Sequence, residues 1–119
     1  MDYKILCQPS YAMIELGLER GESITAESGA MAWMDANITT RTQARGGVMA
    51  GLKRKMLSGE SFFQNTYTAE GGPGSITLCA GAAGDVVPIR MDHDELILER
   101  GAFIASDDDV KIDSKFEGF

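Results

Sequence analysis

The chain has 119 residues, 44% of them hydrophobic, and a formal net charge of -7. That length suits one domain with its own core, and that composition is too apolar for a disordered polymer. The acidic balance argues against a nucleic-acid or acidic-membrane surface spread over the whole protein.

In chain order, Ala12, Ile14, Leu16 and Leu18 alternate with Met13, Glu15, Gly17 and Glu19, which predicts a half-buried strand. Arg20-Gly21-Glu22 reads as a turn. Ile24, Ala26 and Ser28 then alternate with Thr25 and Glu27, so a hairpin of these two strands is expected. Met31 to Met34 is a short segment around the only tryptophan, Trp33; such a Met-Trp cluster could form a partner-binding patch, but a place in the core is the reading preferred. Ile38 to Thr42 is β-branched and strand-like. Val48, Leu52 and Met56 have helical spacing, weakened by Gly51, and predict at most one short helix or an irregular loop over 48–57. Strands are predicted over Ser61–Ala69 and Ser75–Ala80, separated by Gly71-Gly72-Pro73-Gly74. Shorter ones are predicted at Val86–Met91, Glu95–Glu99, Ala102–Ala105 and Val110–Lys115. Short strands with regular turn signals predict an all-β sandwich or barrel.

Glu15-Leu16-Gly17-Leu18-Glu19-Arg20-Gly21 returns as Glu95-Leu96-Ile97-Leu98-Glu99-Arg100-Gly101, and an isoleucine follows each glycine three positions on, Ile24 and Ile104. The expectation is one β domain over 1–119, with a first repeat over about 1–91 and an incomplete second over about 92–119. The competing explanation is chance reuse of a strand–turn–strand pattern. A real but unfinished second unit leaves sheet edges for another chain, or a missing half, to cover.

Between Ala36 and Gly59 there is no acid, yet Arg41, Arg45, Lys53, Arg54 and Lys55 fall there; the segment carries +5, which leaves -12 on the rest of a chain of -7. A glycine-rich basic segment can gather anions such as phosphate, acidic lipid or RNA. The simpler reading, which we prefer, is a solvated loop or a contact with an acidic face of another subunit. Gly46 to Lys53 fails the GxxxxGK[ST] phosphate-loop pattern, because Leu52 rather than lysine follows Gly51.

His93, the only histidine, lies in Asp92-His93-Asp94, a turn rather than a metal site; Ser106-Asp107-Asp108-Asp109 is read as a solvated turn between strands, since Asp107 to Asp109 lacks the spacing of a calcium loop. Glu60 before Phe62-Phe63 is conceivable as a base, yet no partner can be named, so a strand-end hydrogen bond is preferred. Cys7 and Cys79 are not in CxxC spacing and are read as small core residues. The first residues, Met1 to Ile5, show no secretory pattern, and no run reaches the roughly 18 apolar residues of a membrane span, so a reducing, cytoplasmic location is expected.

Ala26-Glu27-Ser28-Gly29-Ala30-Met31, Trp33-Met34-Asp35, Gly51-Leu52-Lys53-Arg54, Gly59-Glu60-Ser61-Phe62-Phe63 and Gly101-Ala102-Phe103-Ile104-Ala105-Ser106 together resemble the altered-inheritance-of-mitochondria twenty-four family. The resemblance covers nearly the whole chain. It implies a fold like that of the tryptophan-RNA-binding attenuation protein, with tandem β-sandwich units that tend to oligomerise. It also implies a longer chain, with further strands after the position of Phe119. Prokaryotic members have no established activity, and eukaryotic relatives are associated with mitochondrial inner-membrane organisation. No catalytic residues, cofactor or metal ligands carry over.

The function expected from these features is that of a non-enzymatic structural or protein-interaction module, most simply a homo-oligomer, with another protein partner possible. The alternative is an anionic-ligand or RNA-binding protein using residues 41–55. The acidic body and the lack of a basic–aromatic array count against nucleic acid.

Overall fold

The computed structural model describes residues 1–44, 63–92, 95–99 and 101–112. Among them are eight strands and no helix: β1 Asp2–Leu6, β2 Met13–Leu18, β3 Ser23–Glu27, β4 Met31–Met34, β5 Ile38–Ala44, β6 Phe63–Ala69, β7 Gly74–Cys79 and β8 Ala105–Asp107. They form two four-stranded antiparallel sheets, in the orders β1-β2-β7-β4 and β5-β6-β3-β8.

The alternation read in β2 and β3 gives the buried faces correctly. Leu16 and Leu18 from β2, and Ile76 and Leu78 from β7, meet Ile24, Ala26, Ile38, Tyr67 and Ala69 from the other sheet in one core. Each large apolar side chain buried this way contributes about 1.5–3 kcal/mol. The second strand pairs elsewhere than expected. β2 lies between β1 and β7, and β3 between β6 and β8, so β2 and β3 form no hairpin. The link between them crosses from one sheet to the other. Glu22 N–H bonds the Glu19 carbonyl at 2.9 Å, and Gly21 N–H bonds the Ala69 carbonyl at 2.8 Å, which ties the crossing to the end of β6. Gly21 has φ 82°, where a side chain would be strained.

The remaining corners use side chains. Asp35 accepts Ser75 N–H on its carboxylate at 2.8 Å, while Asp35 N–H bonds the Ser75 carbonyl at 2.9 Å. The Asn37 amide reaches the carbonyls of Glu70, Gly72 and Pro73 at 3.4, 3.2 and 3.1 Å.

Three further expectations change. β1 had no predicted counterpart; it is a short edge strand whose Tyr3 and Ile5 stand opposite Leu16 and Ile14. Residues 86–91, 95–99 and 102–104 belong to none of the described strands. Strand propensity there lacks a partner, and Pro88 supplies no N–H for a ladder. β8 instead takes up Ser106 and Asp107, read as turn residues. The cysteines are not core: Cys7 is exposed, in a left-handed conformation (φ 60°), and Cys79 is partly exposed. The helix or loop over 48–57 lies outside the described residues.

Candidate functional site

Because β5 alternates, Ile38 turns into the core and Arg41 turns outward. Arg41 pairs across to Thr66 of β6, Thr66 to Thr25 of β3, and Thr25 to Ser106 of β8. The outer face of this sheet is thus a hydroxyl-bearing row ended by an exposed guanidinium. Threonine suits such a face, since its branched carbon fits the pleat while its hydroxyl can bond sideways. The Ser23 and Thr68 hydroxyls are 2.6 Å apart and those of Thr25 and Thr66 are 3.3 Å apart. Among the described residues, Gln64 Nε2 and Ser106 Oγ on this sheet are buried without a hydrogen-bond partner. Of the five basic residues singled out in the sequence, Arg41 is the one placed on this face; Arg45, Lys53, Arg54 and Lys55 lie outside the described residues, as do Glu60 and His93.

The first sheet has an apolar edge. Trp33 of β4 stands opposite Thr77 of β7, on the face away from the core, and is 52% exposed. The expectation of a core tryptophan is therefore corrected. The register shifts between Met31 and Trp33, leaving Met34, opposite Ile76, as the residue that packs against the core.

A second apolar surface follows β7. Val87, Ile89, Leu96, Ile97 and Leu98 are all exposed. Single exposed apolar residues are ordinary; five within twelve positions, on backbone that no described strand pairs, are not. Sequence reasoning places these residues in short strands, and the strand pattern alone does not say that they are exposed.

Titratable chemistry is sparse. The Glu22 carboxylate accepts Glu19 N–H at 2.7 Å and lies 3.3 Å from the terminal amine, and the Glu19 bond, foremost, holds its pKa below the ordinary value despite partial desolvation. Asp107 closes a local turn by accepting Asp109 N–H at 3.1 Å, as expected of a solvated turn. Among the described residues, no group of three or more His, Cys, Asp or Glu is placed to hold a metal ion, and no helix is long and apolar enough to cross a membrane.

The family model described as mitochondrial biogenesis AIM24 matches residues 3–119. The chain belongs to the AIM24 family. A relative in this comparison is an uncharacterized protein of Streptococcus pyogenes serotype M6, 31% identical over 103 residues, covering 82% of this chain and 41% of that protein. A similar solved structure is the crystal structure of another Streptococcus pyogenes protein, determined in structural genomics. It has 26% identity and a TM-score of 0.66 and covers 90% of this chain and 50% of that one. The AIM24 chain described here thus spans about half the length of the relatives it matches.

Proposed function

We propose that this AIM24-family chain is a non-enzymatic structural or protein-interaction module that acts as an oligomer. The observation that carries the reading is the exposure of Val87, Ile89, Leu96, Ile97 and Leu98, on backbone that none of the described strands pairs. Exposed apolar surface and unpaired strand-like backbone are what assemblies cover. The test is mass by light scattering over a wide concentration range. A chain that stays monomeric throughout sinks the reading.

A second reading has its own support, the placement of Arg41 at the end of the Thr66–Thr25–Ser106 row. It is an anionic-ligand or RNA-binding protein that uses the basic segment 41–55, of which Arg45, Lys53, Arg54 and Lys55 are the other cations. Binding of phosphate-bearing probes at two salt concentrations tests it, because phosphate contacts weaken with salt. Affinity that is unchanged when Arg41, Lys53, Arg54 and Lys55 become serine refutes it.

A further inference from the structure

The face of the first sheet turned away from the core carries one row in register across all four strands. Lys4 of β1 stands opposite Glu15 of β2, Glu15 opposite Thr77 of β7, and Thr77 opposite Trp33 of β4. Alternation fixes the direction, because Leu16, Ile76 and Leu78, the chain neighbours of Glu15 and Thr77, lie in the core. In the same register Asp2, Gly17 and Ser75 flank the row on one side, and Leu6, Met13 and Cys79 on the other.

Unused bonding capacity sets this row apart. Thr77 is fully buried, yet its Oγ1 has no hydrogen-bond partner. Buried hydroxyls are ordinarily satisfied. Beside it the half-buried Glu15 carboxylate has no hydrogen bond or ion pair among the described residues, and neither has the exposed Lys4 ammonium directly opposite. Trp33 is 52% exposed and offers an aromatic ring at the far end of the row.

These groups select an occupant by their chemistry. An anion meets the Glu15 and Asp2 carboxylates, and a cation meets the Lys4 ammonium. A neutral ligand with several hydroxyls suits both signs, since each hydroxyl can donate to Glu15 or accept from Lys4. The aromatic ring narrows the choice to a ligand with a face of C–H groups, whose polarised hydrogens match the negative face of indole. A sugar ring has both features. Glu15 and Trp33 lie two strand spacings apart, about 10 Å, a gap that side chains of their length reduce to the width of one such ring. Thr77, short between two longer residues, lies beneath that gap.

We propose that this face binds a neutral hexopyranose, stacked on Trp33 with its hydroxyls bonded to Glu15 and Lys4 above the Thr77 hydroxyl. The site lies on the other sheet from Arg41 and depends on neither reading above.

Trp33 is the only tryptophan, so the emission of the full chain reports on this site. The chain is titrated with the methyl glycosides of glucose, galactose, mannose and N-acetylglucosamine, and with tetramethylammonium chloride and sodium phosphate as ions of either sign. We expect a saturable change with at least one glycoside, little altered by salt, and none with the ions. Glu15→Gln should weaken that glycoside about tenfold, the loss of one hydrogen bond to a charged group. Lys4→Ala should weaken it as well, Trp33→Ala should abolish its binding by calorimetry, and Arg41→Ser should leave it unchanged. Each variant is checked for native circular dichroism. No response to any glycoside up to its solubility limit overturns the proposal. A saturable response to tetramethylammonium alone shows a cation site and overturns it too. So does a glycoside that binds Glu15→Gln and Lys4→Ala as tightly as the wild type, because stacking on Trp33 then needs no polar row.

Discussion

Asp35 and Ser75 hold one another twice, carboxylate to N–H at 2.8 Å and N–H to carbonyl at 2.9 Å, where the chain leaves β4 and enters β7. The backbone half of this exchange survives substitution; the carboxylate half does not. Asp35→Ala is expected to lower stability by about 1 kcal/mol, the usual net worth of one such bond. Urea denaturation measures it, and an unchanged midpoint would show that water replaces the carboxylate without loss.

Gly74 begins β7 under a close neighbour. A Cβ there would come within 2.8 Å of Ile38 Cδ1 and 2.9 Å of Asn37 Oδ1. Ile38 is buried and Asn37 is committed to its carbonyls, so neither moves freely. Gly74→Ala should cost about 1–3 kcal/mol by overpacking. Calorimetry of the variant checks this, with Gly72→Ala, which meets nothing within 4 Å, as the comparison.

Leucines at matching places in the two similar segments should respond oppositely. Leu18→Ala removes a side chain that is fully buried between the sheets and is expected to cost about 2–5 kcal/mol. Leu98→Ala trims an exposed one and should change the stability of dilute protein by no more than about 0.5 kcal/mol. Equal losses would mean that the exposed stretch is buried in solution.

The lowered pKa of Glu22 means that the folded state favours its ionised form. The resulting stability is fully present above the ordinary glutamate pKa and is lost as pH falls through the lower folded value. Glu22→Gln should therefore be less stable than the wild type at neutral pH, and the difference should shrink toward pH 2. Thermal midpoints across that range decide it; a difference that is constant with pH excludes ionisation as its cause.

Faces were legible in the sequence, and partners were not. Alternation alone put Leu16, Leu18, Ile24 and Ala26 inside, since strand side chains alternate whatever the strand pairs with. It could not say that β2 and β3 belong to different sheets, because that depends on Gly21 and Glu22 meeting Ala69 from a distant strand. Trp33 misled for a similar reason: the irregular register between Met31 and Trp33 is a property of the β4–β7 pair, invisible in either strand alone. The outward face of Arg41 follows from β5, but its hydroxyl neighbours Thr66 and Thr25 arrive from two other strands. Most of the basic segment around it lies outside the described residues, so its charge is known from sequence alone.

The crossing at Glu19–Glu22 also sets an order of events during folding. β2 has β1 beside it at once, but its other neighbour, β7, lies far along the chain, and the same holds for β3 and β6. Pairings this remote require large loops to close before any contact rewards them, which slows folding. During synthesis, Ile14, Leu16 and Leu18 therefore emerge and wait, uncovered on one side, until β7 follows. Partly made chains are accordingly the form of this protein most exposed to aggregation and to chaperone capture.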